Sequence, residues 1–176
     1  MRLAGIITAV SIILAGGCTP KAIHSDEVQL FRWKQQYRHV LVAGEYIDLH
    51  ERTDRSQLRQ FMGIDPLYTE WCAAFLNAVL AESGMPGSET VSDYPLTAKS
   101  FLEWGSPVEY GQVGDVVVFN RCCEAWKGHV GIIVGVEVTK DNNIIYDVLG
   151  GNQDNTVSIK KFNKRRAVAI RRYEDK

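Results

Sequence analysis

The hydrophobic period of this chain changes once, between Gly105 and Asp115, and that single change limits the folds open to it. Ahead of it the spacing is helical. Leu30, Trp33, Tyr37, Val40 and Leu41 recur every three or four residues and predict a helix over 29–46. Thr53-Asp54 is a cap signal for a short helix through Arg59 to Met62, which Gly63 closes. Thr69 is the expected cap of a helix over 70–82 that stops at Ser83-Gly84 and buries Trp71, Ala74, Phe75, Ala78 and Val79. One more helix is expected over 97–104, between Pro95 and Gly105. Beyond it apolar residues alternate, and strands are predicted over 115–119, 129–138, 144–149, 156–159 and 166–172. Helices first and strands after indicate an α+β fold, with N-terminal helices packed on an antiparallel β-sheet. The turn Lys140-Asp141-Asn142-Asn143 joins two of the strands as a hairpin.

The 176 residues suit a single domain, and a hydrophobic content of 45% is enough for a core. Twenty basic residues against 21 acidic leave a net charge of −1, which gives no footprint for nucleic acid. The only basic cluster is Lys160, Lys161, Lys164, Arg165, Arg166, Arg171 and Arg172, read as a solvated strand edge or a surface for an anionic polymer.

Residues 1–18 form a separate unit. Arg2 precedes an apolar run from Leu3 to Leu14 that is short for a membrane span, and Ala15-Gly16-Gly17 leads into Cys18. The pattern resembles a bacterial lipoprotein signal, which implies lipidation of Cys18, a membrane anchor through that lipid and removal of the residues before it. An ordinary cleaved secretory signal is the alternative. Thr19 in place of Asp suggests sorting to the outer membrane and a periplasmic location. Residues 19–28 read as a tether and 29–176 as the domain.

Two residues carry candidate chemistry. Cys72 falls about third in its expected helix, where the free N–H groups and the helix dipole favour a thiolate. His129 opens a strand and is the matching base. A hairpin centred near Asp141 and Asn142 places the residue opposite His129 near Asp154, so Asn152 and Asp154 share a face while Gln153 points away. An amide or carboxylate there would fix the imidazole tautomer, with Asn152 the first choice and Asp154 the second. His24, His39 and His50 have no such company and read as surface or helix residues. The adjacent Cys122-Cys123 precede His129 as two free thiols or a strained vicinal disulfide, and they lack the spacing of a metal site.

Trp71-Cys72-Ala73-Ala74-Phe75, Gly114-Asp115-Val116-Val117-Val118-Phe119, Gly128-His129-Val130-Gly131-Ile132 and Leu149-Gly150-Gly151-Asn152-Gln153 resemble, in that order, motifs of the NlpC-type cell-wall cysteine peptidases. The likeness is greatest to a small, often phage-associated branch near the CHAP amidases, and it spans about Glu51 to Arg172. It implies a papain-like fold, no metal or cofactor, and hydrolysis of an amide in peptidoglycan. It also implies Cys72 as nucleophile, His129 as base and Asn152 as the orienting third residue. Glu70 and Trp71 would line the substrate groove, unless Trp71 belongs to the core, and Asp115 would hold the turn into its strand. The bond expected to be cut lies within the stem peptide; the muramoyl–L-alanine amide, or a non-catalytic wall-binding or partner-binding module, are the alternatives.

Overall fold

The computed structural model describes residues 25–121 and 127–174. Cys18, the leader, most of the proposed tether and the Cys122-Cys123 pair lie outside the described residues. Four helices come first: α1 (Ser25–Gln36), α2 (Arg38–Gly44), α3 (Arg55–Met62) and α4 (Cys72–Glu82). Six strands come after them: β1 (Ser106–Pro107), β2 (Val116–Asn120), β3 (Gly128–Val138), β4 (Ile144–Gly150), β5 (Ser158–Asn163) and β6 (Ala167–Arg172). They form one antiparallel sheet in the order β1-β6-β2-β3-β4-β5. The expected mixed architecture is therefore present.

Helix α4 is central because its sequence, CAAFLNAVLAE, is apolar on nearly every side. Cys72 to Leu76, Val79 and Leu80 are all buried. The helix packs on α2, α3 and β3, in a core that includes Phe101, Trp104, Val118, Val130, Ile132 and Leu149. Its one polar interior residue, Asn77, is satisfied by a loop. Asn77 donates to Pro95 O and accepts from Ser88 N, both at 2.8 Å, which ties residues 86–97 to the helix. Across the sheet a second apolar layer holds Val117, Phe119, Ile133, Tyr146, Val148 and Ile170. Strand β2 reads Val-Val-Val-Phe without alternation because it is buried on both faces.

Several local expectations need correction. The helix over 29–46 divides at Tyr37 (φ −109°, ψ 22°). Leu30 and Trp33 are exposed, so helical spacing there marks a surface helix and not a core face. Helix α4 begins at Cys72 without a side-chain cap from Thr69. Residues 98–102 form a 3-10 turn capped at Glu103, and Gly105 follows two residues later in the left-handed region (φ 61°). Thr156 pairs only with His50, and β5 starts at Ser158. The two-residue β1, with Pro107 at the sheet edge, gives no alternation signal from sequence. Gly63 does close α3, in the left-handed conformation. The hairpin also forms as expected, with Asn142 at positive φ and Val138 opposite Ile144.

The end of β4 lies close against the helical layer. Added Cβ atoms show why Gly150-Gly151 stands there: at Gly151 one would lie 2.5 Å from Trp71 Cζ3 and 2.7 Å from Phe75 Cβ. The turn is pressed against the start of α4, with Trp71 and Phe75 both buried. Gly151→Ala is expected to lower stability by about 1–3 kcal/mol, since neither neighbour has room to yield. Urea unfolding tests this: the midpoint should fall at unchanged slope.

Candidate active site

Helix α4 delivers Cys72 as its first residue. The first intrahelical bond is Phe75 N to Trp71 O at 2.9 Å, so the N–H groups of Cys72, Ala73 and Ala74 lie outside the helical ladder. The Cys72 thiol is within hydrogen-bonding reach of the N–H groups of Val130 and Ala73. Val130 is the residue directly after His129 on β3, so the thiol approaches the strand backbone one residue past the imidazole. His129 stands opposite Phe119, in the layer across the sheet from α4, whereas Val130 faces the helix, so the thiol and the ring occupy separate hollows at the sheet end, where β4 has stopped at Gly150.

His129 is buried and stacks with Phe119 and Phe162, at centroid distances of 6.4 and 5.9 Å. Its partner is Gln153, whose Oε1 lies 3.3 Å from His129 Nε2. The Gln153 amide nitrogen donates to the carbonyls of Val148 (3.2 Å), Gly150 (3.3 Å) and Ser158. With its NH₂ committed to carbonyls, Gln153 presents only an acceptor to the ring. Nε2 must then carry the proton, which leaves Nδ1 with a free lone pair. Nδ1 is buried and has no hydrogen-bond partner. This is the tautomer a general base needs.

The structure thus gives the position beside the imidazole to Gln153, and neither Asn152 nor Asp154 takes it. The reason is backbone conformation. Strand alternation ends at Gly150, and Asn152, Asp154 and Asn155 all have φ between 56° and 63°. Three left-handed residues within a turn cancel the parity argument and swing Gln153 inward. A bulge between Ile133 and Gly135 also shifts the pairing of β3 with β4. Asn152 Nδ2 donates instead to Glu70 Oε2 at 2.7 Å, and Asp154 pairs with Lys160 at the surface. In sequence, the available signal for Gln153 was the Gly-Gly pair ahead of it.

Glu70 stands at the rim of the hollow beside Cys72 and pairs with Arg121 Nη1 at 3.0 Å. Trp71 is fully buried, with Nε1 donating to Glu51 at 3.1 Å, so it belongs to the core and not to a groove. Asp115 holds the entry to β2 as expected, accepting from Gln112 N and from both Nε and Nη2 of Arg172. His39 is a buried helix residue whose Nε2 bonds Gly114 O at 2.8 Å. A larger cavity of about 520 Å³ lies at the far end of α4, beside Ser83 and Asp115, and contains neither Cys72 nor His129. Among the described residues, no three His, Cys, Asp or Glu side chains cluster as a metal ion would require.

The electrostatics differ from the sequence expectation. Burial raises the Cys72 thiol above its ordinary value, outweighing the Val130 N–H and the Arg121 charge that favour the thiolate. Burial, aided by the Arg121, Lys160 and Arg166 charges, brings His129 down to about 4. Among the described residues no hydrogen bond joins Cys72 to His129. At rest Cys72 is therefore a neutral thiol, not the thiolate its helix position suggests, and His129 a neutral imidazole.

Family models provide no match to this chain, and no curated protein matches it.

Two pH effects are expected. His129 binds its proton more weakly folded than unfolded, so its contribution to stability is complete above about pH 6.5 and lost as pH falls toward 4. For Cys72, the raised folded value means stability falls above about pH 8.5, where the unfolded thiol ionises. Denaturant titrations from pH 4 to 10 would show both limbs, with Cys72→Ser lacking the alkaline one. Alkylation of Cys72 by iodoacetamide, monitored by peptide mass mapping, should be slow at neutral pH and accelerate only above about pH 8.5.

Proposed function

We propose that this chain is a thiol-dependent amide hydrolase of the NlpC type with a papain-like fold, acting on peptidoglycan from a lipid anchor at Cys18 in the periplasm. The observation that carries the reading is the Gln153 clamp, which leaves His129 Nδ1 unprotonated on the residue just before Val130, whose N–H the Cys72 thiol approaches. The four motifs in chain order support the family assignment, and the leader residues 1–18 support the location.

In this reading the third residue of the triad is Gln153. Substrate enters the hollow between Cys72 and Leu96-Thr97-Ala98, and the thiol closes on Nδ1 and gives up its proton. Sulfur attacks the carbonyl carbon while the N–H groups of Cys72 and Ala73, which lie outside the helical ladder, receive the developing oxyanion. The imidazolium protonates the amine, which leaves, and water hydrolyses the thioester to regenerate the thiol. Glu70, Arg121 and Asn152 form the polar rim through which the substrate passes. The preferred bond lies within the stem peptide; the muramoyl–L-alanine amide requires the same chemistry with a different pocket.

A second reading, a wall-binding module without turnover, draws on one observation: the buried, protonated thiol makes no hydrogen bond to His129. Digestion of purified peptidoglycan by the intact chain, read by mass spectrometry beside Cys72→Ala, separates the two. Fragments that require the cysteine carry the hydrolase, and their masses name the bond. Fragments from neither protein, with reductant present and across several wall types, would favour the binding module. Within the hydrolase reading, Gln153→Ala should lower kcat by about a hundredfold, and Asn152→Ala should cost much less.

A further inference from the structure

Two hollows flank Arg121, which lines both. One, of about 80 Å³, lies at Cys72 and is walled by Leu96, Thr97 and Ala98. The other, of about 150 Å³, lies against His129, Gln153, Phe119 and Phe162. Their electrostatic characters differ. The His129 hollow is lined by three cations from separate parts of the chain: Arg121 after β2, Lys160 on β5, and Arg166 in the turn before β6.

The carboxylates nearby are fewer. Glu70 pairs with Arg121, and Asp154, itself largely exposed, pairs with Lys160. Arg166 has no carboxylate partner among the described residues, and its guanidinium lies over the Phe162 ring at 5.3 Å from the centroid. A flat guanidinium seated on an aromatic wall is held ready to take a carboxylate through two parallel N–H groups.

We propose that the hollow beside His129 is an anion site that receives a carboxylate on the amine half of the substrate. The source of the carboxylate rests on the proposed hydrolase activity; the anion site itself does not. The chemistry sets the direction. The imidazole hands its proton to the departing amine, so the amine half leaves on the His129 side, while the acyl half stays on Cys72 beside the hollow whose cations, Arg121 and Lys127, share it with Glu70. The substrate class is then an amide whose amine component carries a free carboxylate, as an α-amino acid residue does.

The anion also has a second effect. All the charges that act most on the His129 ring are cations, and they oppose its protonation. A bound carboxylate offsets them and makes the imidazole a stronger base, so the substrate that fits the hollow also readies the dyad.

Two measurements on the intact chain test this. The first compares two stem-peptide substrates with the same acyl half, the carboxylate of the amine half being free in one and amidated in the other. The free acid should have a kcat/KM higher by about tenfold or more, and Arg166→Gln, an exposed position, should bring that ratio close to one. The second tracks the His129 Hε1 resonance by NMR while acetate or inorganic phosphate is added at constant ionic strength. The titration midpoint should rise from about 4 in the wild type and stay in place in Arg166→Gln. If neither substrate is cut but acetate still moves His129 through Arg166, the anion site stands and the hydrolase reading falls. Equal rates on the two substrates, with a response to phosphate, would assign the site to free inorganic anions and overturn the substrate inference. Equal rates with a silent His129 would overturn the site altogether and leave the hydrolase reading intact.

Discussion

The seating of the Gly150-Gly151 turn against Trp71 and Phe75 is the contact on which the rest of the site depends. It brings the end of β4 to the first turn of α4, at the end of the sheet where β3 carries His129 and where α4 begins with Cys72. It also aims Gln153 back under the sheet, where three carbonyls hold its NH₂ and its oxygen meets His129. A side chain at Gly151 would separate these elements. The indole of Trp71, anchored to Glu51, is the surface against which the turn is measured. Trp71, which the sequence left open between a groove and the core, thus lies in the core behind the turn.

Burial sets the chemistry of the two central groups more strongly than local charge does. Helix N-termini and cationic neighbours lower a thiol pKa, and both are present at Cys72, yet enclosure outweighs them. At His129 enclosure and the surrounding cations act in the same direction. The pair is therefore neutral at rest, and in the hydrolase reading the incoming substrate must supply part of the activation. An anionic substrate group among Arg121, Lys160 and Arg166 would do so, which joins recognition and reactivity in a single step.

Much of the fold was legible in sequence because the periodicities are strong and long. The eleven apolar-rich residues of α4 and the eleven of β3 leave little room for another assignment. The turn at Asn142 and the stop at Gly63 were readable because a positive φ restricts which residues can stand there. Illegible were features decided by distant neighbours: the break at Tyr37, the exposure of Leu30 and Trp33, and the short edge strand at Ser106–Pro107. Exposure in particular depends on what lies opposite a helix face, and α1 meets little beyond α2.

The sequence by itself determined the order of layers, the placement of Cys72 at a helix start and of His129 at a strand start, and the glycines that end β4. These stem from short-range sterics and from the burial that an apolar pattern demands. Tertiary structure alone decided which polar residue faces the imidazole. Asn152, Gln153 and Asp154 are adjacent and similar in chemistry, and strand parity favoured the first and the last. Left-handed backbone at Asn152, Asp154 and Asn155 reversed that parity. The choice fell to Gln153 because only it reaches three carbonyls and the ring together, an arrangement that exists once β4, β5 and the turn between them are assembled.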